Sequence, residues 1–312
     1  MSEPSRDARA DGKPDGHTDR LPDAGVELAG KVAVVTGAAS GMGEAMAERA
    51  ATEGMHVVLV DVEEQALARV AERLAGTGAT VWPMQADVSD RAAVVRVADR
   101  VGDEVGPTWL LVNNAGVGSS APVHALAHEQ WEFVLGVNLW GVVHGLETFL
   151  PGMIERDAGY VVNTASMAGL MTCANLGAYV ASKHAVVGLS EVLYRELEEM
   201  GSKVGVSVLC PGGVVTNIMR AERNWPARLG PAPSTLPGEY PDFPERKEPS
   251  EVADQVFEAI AARRFWVLTH PWQYADAIRA RAEGVIAGRN PDDTTLDPIV
   301  KAMRDRGSQP RG

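Results

Sequence analysis

The chain has 312 residues, 45% of them apolar, enough to bury the core of one large domain or two small ones. Acidic residues outnumber basic ones 42 to 29, a formal net charge of −13. That balance argues against nucleic acid or an anionic membrane as the main partner, because both call for basic patches.

Residues 1–27 are polar, rich in Asp, Arg, Gly and Pro, and lack the apolar core of a secretory signal. A disordered N-terminal arm is expected there. From residue 28 onward, short apolar runs alternate with longer helix-patterned segments. The runs are VAVVT (32–36), VVLVD (57–61), TVWPMQ (80–85), WLLVN (109–113), YVVNTAS (160–166), VSVLC (206–210) and FWVLT (265–269). The early runs are almost wholly apolar, as strands covered on both faces must be. Segments such as EEQALARVAERLA (63–75) and DRAAVVRVADRVGDEV (90–105) place apolar residues three and four apart. This alternation predicts an α/β fold: a doubly wound, Rossmann-like parallel sheet of about seven strands with helices on both faces. One catalytic domain is expected over 28–289.

The first strand runs into TGAASGMG (36–43), where Gly37, Gly41 and Gly43 separate strand from helix. Such glycines allow a tight turn and close backbone approach to a pyrophosphate, whose charge a helix N-terminus favours. A plain strand–helix turn is the alternative. The turn's place at the first strand of a βαβ unit favours the phosphate reading. The second strand ends at Asp61, where an acid can accept hydrogen bonds from the adenosine ribose and repel a 2′-phosphate. Val62 follows and no nearby residue in sequence offers a cation, so NAD is expected over NADP.

The apolar run 133–154 contains Asn138, His144, Glu147 and four glycines, which makes it a poor membrane span. A buried helix or a subunit interface is expected instead. Further on, GAYVASKHAV (177–186) sets Tyr179 and Lys183 four residues apart, on one face of a helix. Alone, the pair fits ordinary packing with a solvated charge as readily as it fits proton transfer.

After VSVLC the rhythm breaks. Residues 211–250 hold no long helical period and are proline-rich from Pro226 to Pro249. An irregular insertion after a sheet strand lies at the carboxyl edge, where open α/β sheets bind ligands. A substrate lid is the favoured reading over a merely floppy loop. A further helix is expected over 272–288, and a flexible tail over 290–312. Cys173 and Cys210 provide no disulfide framework and no paired-cysteine site, which suits a reduced, cytoplasmic setting. His124, His128 and Glu129 lack the order of a zinc-protease helix, and no metal site is expected.

Taken together, these motifs resemble the short-chain dehydrogenase/reductase family, in its short single-domain branch, over residues 28 to about 270. TGAASGMG matches the family's cofactor turn, with Ser40 and Met42 among its glycines. Asp87 and Val88 match the acidic site near the adenine. Asn114, Ala115 and Gly116 in NNAG match the backbone that lines the cofactor. Asn138 matches the helical active-site asparagine, and Ser166, Tyr179 and Lys183 match the rest of the tetrad. Pro211, Gly212, Val214 and Thr216 in PGGVVT match the segment holding the nicotinamide.

The resemblance implies an alcohol dehydrogenase or ketone reductase with Tyr179 as general acid/base. Lys183 is expected to lower the tyrosine's pKa and to bind the nicotinamide ribose, because a nearby cation favours the phenolate. Ser166 would hold the substrate oxygen, and Asn138 would fix a water on the proton path. It also implies a homo-tetramer or dimer through helices near 129–156 and 178–200. MAGLMTCANLGA (167–178), with Ile218, Met219, Trp225, Leu229, Tyr240 and Phe243 of the lid, predicts a roomy apolar pocket with no fixed anchor for an anionic group. A hydrophobic secondary alcohol or ketone, cyclic or steroid-like, is the expected substrate. The alternatives are a diol, a biosynthetic intermediate, or a non-catalytic nicotinamide-binding regulator.

Overall fold

The computed structural model describes residues 26–218, 220–233 and 245–291. Most of the N-terminal arm, the tail from residue 292, and Met219, Tyr240 and Phe243 of the lid lie outside the described residues.

Seven strands form one parallel sheet: β1 (Val32–Thr36), β2 (His56–Asp61), β3 (Val81–Gln85), β4 (Thr108–Asn113), β5 (Tyr160–Thr164), β6 (Gly205–Cys210) and β7 (Trp266–Leu268). Their spatial order is β3-β2-β1-β4-β5-β6-β7. The order reverses between β1 and β4, so a crevice opens beyond the carboxyl ends of those two strands. All seven expected strands are present, each within one residue of the expected ends except YVVNTAS, which leaves the sheet two residues early, at Thr164.

Alternate residues of each strand enter opposite layers, as the two-residue pleat requires. Val34, Val58, Leu111, Val161 and Val208 meet one core, with α3 (Arg91–Glu104), α5 (Gly141–Glu155) and α6 (Gly177–Glu199) over it. Val35, Leu59, Val112, Val162 and Leu209 meet the other, covered by α1 (Gly41–Thr52), α2 (Glu64–Ala75) and α7 (Pro249–Ala261). Local chemistry sets the helix starts. Asp90 accepts from the Ala92 amide at 2.9 Å to cap α3, and the Glu251 carboxylate accepts from the Glu248 amide at 2.8 Å beside Pro249.

The apolar run forms α4 (His128–Leu135), a π-helical turn (Gly136–Trp140) and α5, continuous from His128 to Glu155. By length and composition this stretch could cross a membrane, with an 18-residue window of mean hydropathy 1.4, but half of that window is buried inside the fold. α5 packs on β4 and α3, and α4 packs on α6. The last helix, α8 (Pro271–Ile286), follows β7.

In its described parts the insertion after β6 holds only two short 3₁₀ turns, Ala221–Asn224 and Ala227–Leu229. Its root is pinned by a bridge of Val214 to Lys247. Its middle docks through Ala221, Trp225 and Leu229 on a small core with Phe133, Val134 and Ala178. Phe133 and Trp225 stand 5.0 Å apart, centroid to centroid. The segment is therefore seated over the crevice by specific packing.

Candidate active site

A cleft of about 700 Å³ opens at the carboxyl edge of the sheet. The glycine turn forms one end. Gly37 and Gly41 have φ of 67° and 58°, a left-handed backbone that L side chains rarely adopt. A Cβ on Gly37 would lie 2.9 Å from Ala115 Cα, so the turn and the NNAG strand end meet backbone to backbone. Gly43 does not line the cleft; a Cβ there would fall on the Gly37 carbonyl, so this glycine lets α1 pack against its own turn. Ser40 and Met42 line the cleft beside the first amides of α1.

NNAG is tied to the turn by Thr36, whose hydroxyl accepts from the amides of Asn114 (2.9 Å) and Ala115 (3.1 Å). The Asn114 side chain donates to the Thr36 carbonyl at 3.0 Å. Asp61 ends β2 at the cleft wall. Its two carboxylate oxygens accept from the amides of Ala39 and Glu63, both at 3.0 Å, so the acid is held in place from both sides. Asp87 is braced by Ser89, whose amide and hydroxyl donate at 2.9 and 2.7 Å, and His144 Nδ1 donates to the Val88 carbonyl at 2.9 Å. Val88, Gly116, Pro211, Gly212, Val214 and Thr216 line the same cleft.

Ser166, Tyr179 and Lys183 converge on this cleft from two elements. Ser166 caps a 3₁₀ turn just past β5, its Oγ accepting from the Ala168 amide at 3.1 Å. Tyr179 and Lys183 project from the first turns of α6. Burial pushes the Tyr179 phenol above its ordinary value, and its hydrogen bond with Ser166 pulls the other way. The Lys183 ammonium lies 5.7 Å from the Tyr179 ring centroid and donates to the Thr164 carbonyl at 2.9 Å. Burial brings its pKa down to about 8. Desolvation is therefore the larger influence on the phenol in this structure, with the Lys183 ammonium turned toward the strand end. Beneath them the buried Cys210 thiol is pushed up to about 12, which keeps it protonated and inert near neutral pH.

Asn138 sits in the π-helical turn and is fully buried. Its Oδ1 accepts from the Val117 amide at 2.8 Å, and its Nδ2 donates to the Val117 carbonyl (3.0 Å) and to Ser182 Oγ (3.2 Å). Through these bonds the side chain braces the segment after NNAG against α6. Cys173 lines the cleft mouth, whereas His124 and His128 stand outside it.

The substrate side is walled by Phe133, Val137, Met167, Met171, Leu176 and Ile218. Sequence reasoning missed a second feature: Arg220, Arg223, Arg228 and Arg246 also line the cleft. The pocket is apolar on its helix wall, and four arginines of the insertion after β6 line its other side. Three arginines within nine residues of the lid (220–228) were the visible signal. Arg228 pairs with Glu132 of α4 at 3.6 Å, and Arg223 pairs with Glu63 beyond β2 at 2.8 Å.

The geometry suits a dinucleotide. Left-handed glycines clear space at a helix N-terminus, an acid stands at the end of β2, and the elongated cleft continues to Tyr179. A family model described as short chain dehydrogenase matches residues 31–227. A short chain dehydrogenase/reductase from Burkholderia phymatum, solved in complex with NAD, is 42% identical with a TM-score of 0.80, covering 86% of this chain and 98% of that one. A metagenomic short-chain oxidoreductase, solved with NADP, is 29% identical with a TM-score of 0.63, covering 78% and 97%. The 1-deoxy-11-beta-hydroxypentalenate dehydrogenase of Streptomyces avermitilis is 35% identical over 251 residues, 78% of this chain and 86% of the relative.

Proposed function

The chain belongs to the short-chain dehydrogenase family, and from that premise we propose that it interconverts a secondary alcohol and a ketone with NAD, on a largely hydrophobic substrate. The observation that carries this reading is the convergence of Ser166, Tyr179 and Lys183 on the cleft that the glycine turn and Asp61 also line.

When bound, the nicotinamide would supply hydride transfer to or from the carbinol carbon. The chain's own residues manage the proton and the charge. Tyr179 exchanges the proton of the substrate hydroxyl as general acid or base. Its raised pKa keeps it protonated at neutral pH, which suits the acid role in ketone reduction; alcohol oxidation needs the phenolate and gains from higher pH. Ser166, already hydrogen-bonded to the phenol, holds the substrate oxygen and stabilises charge developing on it. Lys183 places a cation under the site and would turn from the Thr164 carbonyl toward the nicotinamide ribose. Asn138 acts through the NNAG loop that it braces, as a positioning residue.

NAD is favoured because the Asp61 carboxylate is held at the end of β2, where it can accept from ribose hydroxyls and oppose a 2′-phosphate. The apolar helix wall supports a hydrophobic substrate. A relative named for dehydrogenation of a hydroxypentalenate points the same way, toward a hydroxy compound. The lid arginines leave room for an acidic group on it. Homo-oligomer assembly, as a tetramer or dimer, is supported by exposed apolar residues on the long helices, among them Trp140 and Val192. Two free cysteines support a reducing, cytoplasmic setting.

The test is purified protein with NAD or NADP and a panel of secondary alcohols, followed by nicotinamide absorbance. Turnover of apolar secondary alcohols with NAD is expected. Reaction only with small charged hydroxy acids would sink the substrate reading, and a strong NADP preference would sink the cofactor reading.

A further inference from the structure

The lid reaches across the cleft to the ribose end. Arg223 Nε donates to Glu63 Oε1 at 2.8 Å, and Asn224 Nδ2 donates to the same oxygen at 3.0 Å. Glu63 lies two residues beyond Asp61, and its amide donates to the Asp61 carboxylate. Arg223 Nη1 is held by the carbonyls of Asn217 (3.0 Å) and Arg220 (2.6 Å), which fixes the guanidinium plane. Its Nη2 makes no hydrogen bond among the described residues. Asp61, Glu63, Arg223 and Asn224 all line the one cleft.

A fixed guanidinium beside the ribose-facing acid is the group that usually welcomes a 2′-phosphate, because its fork matches phosphate oxygens. Here Glu63 neutralises it. We propose that Glu63 is a second determinant of cofactor discrimination: it occupies Arg223, and so denies a 2′-phosphate its cation while adding a negative charge beside Asp61. Asp61 excludes the phosphate by repulsion, and Glu63 excludes it by removing the counter-charge. The same contact closes the lid over the adenosine end. This inference rests on the NAD reading, but its test separates the two.

The probes are adenosine 2′,5′-bisphosphate and 5′-AMP, titrated calorimetrically into the full chain with no turnover needed. Because the readout is a ratio of two dissociation constants on one protein, partial misfolding of a variant cancels. Wild type binding 5′-AMP more tightly upholds the NAD reading; tighter bisphosphate binding overturns that reading alone. Glu63→Gln removes the charge but keeps an acceptor for Asn224, and should shift the ratio toward the bisphosphate by about tenfold, the worth of one charge-assisted hydrogen bond. Adding Arg223→Ala should abolish most of that gain. An unchanged ratio in Glu63→Gln, or a gain that survives intact without Arg223, would overturn the proposal.

Discussion

Lys183 Nζ donates to the carbonyl oxygen of Thr164 over 2.9 Å, and the lysine is only 2% exposed. The contact ties the start of α6 to the end of β5 and explains how a buried amine is tolerated. It also gives a stability signature. The unfolded chain holds this proton up to the ordinary lysine value of 10.5, but the folded chain holds it only to about 8. Between those values the unfolded state binds more protons, so this group's contribution to stability improves as pH rises from 8 to 10.5. Melting wild type and Lys183→Met across that range should show wild type gaining relative to the variant. A constant gap would contradict the buried, depressed amine.

Tyr179→Phe should lower turnover by about 10²–10⁴-fold while leaving cofactor affinity nearly unchanged, since only the proton-transfer group is lost. With the phenol above its ordinary value, oxidation by wild type should accelerate into the alkaline range and ketone reduction should slow. Rate profiles in both directions check this, and near-wild-type activity in the variant would displace Tyr179 from its role.

Asp61→Asn retains an acceptor for the Ala39 amide but removes the charge. Equilibrium titration should show NADP binding tightened relative to NAD, with the fold intact by circular dichroism. An unaltered preference would mean that discrimination lies elsewhere.

Gly43→Ala brings a methyl onto the Gly37 carbonyl, with no flexible side chain there to yield. A loss of about 1–3 kcal/mol is expected from overpacking, together with weaker dinucleotide binding as the turn shifts. Denaturant unfolding measures the first and titration the second.

Trp225→Ala removes the ring that seats the lid on Phe133. KM for bulky alcohols should rise more than KM for small ones, with cofactor affinity less affected. Equal effects on all substrates would argue that this docking does not shape the pocket.

Much of this could be read in the chain itself. Apolar runs of five or six residues between amphipathic segments leave a parallel sheet as the fold that buries both faces. TGAASGMG carries a local backbone requirement, left-handed glycines between a strand and a helix. The Tyr179–Lys183 spacing is a property of one helix turn, so it too is local. YVVNTAS read as strand through Ser166, but β5 ends at Thr164, where the chain turns to cap Met167–Gly169.

What the sequence determined by itself was the order of elements and the glycine turn, which depend on near neighbours, and the candidate proton-handling residues, which stand out by the order of Asn138, Ser166, Tyr179 and Lys183 along the chain. Only the tertiary structure decided the rest. Asn138 spends its amide on Val117 and Ser182, Lys183 turns to Thr164, and Glu63 takes Arg223 from 160 residues away. These pairings depend on which charges and donors the fold desolvates together. Composition and spacing do not encode that; the meeting of distant segments at the sheet's carboxyl edge does.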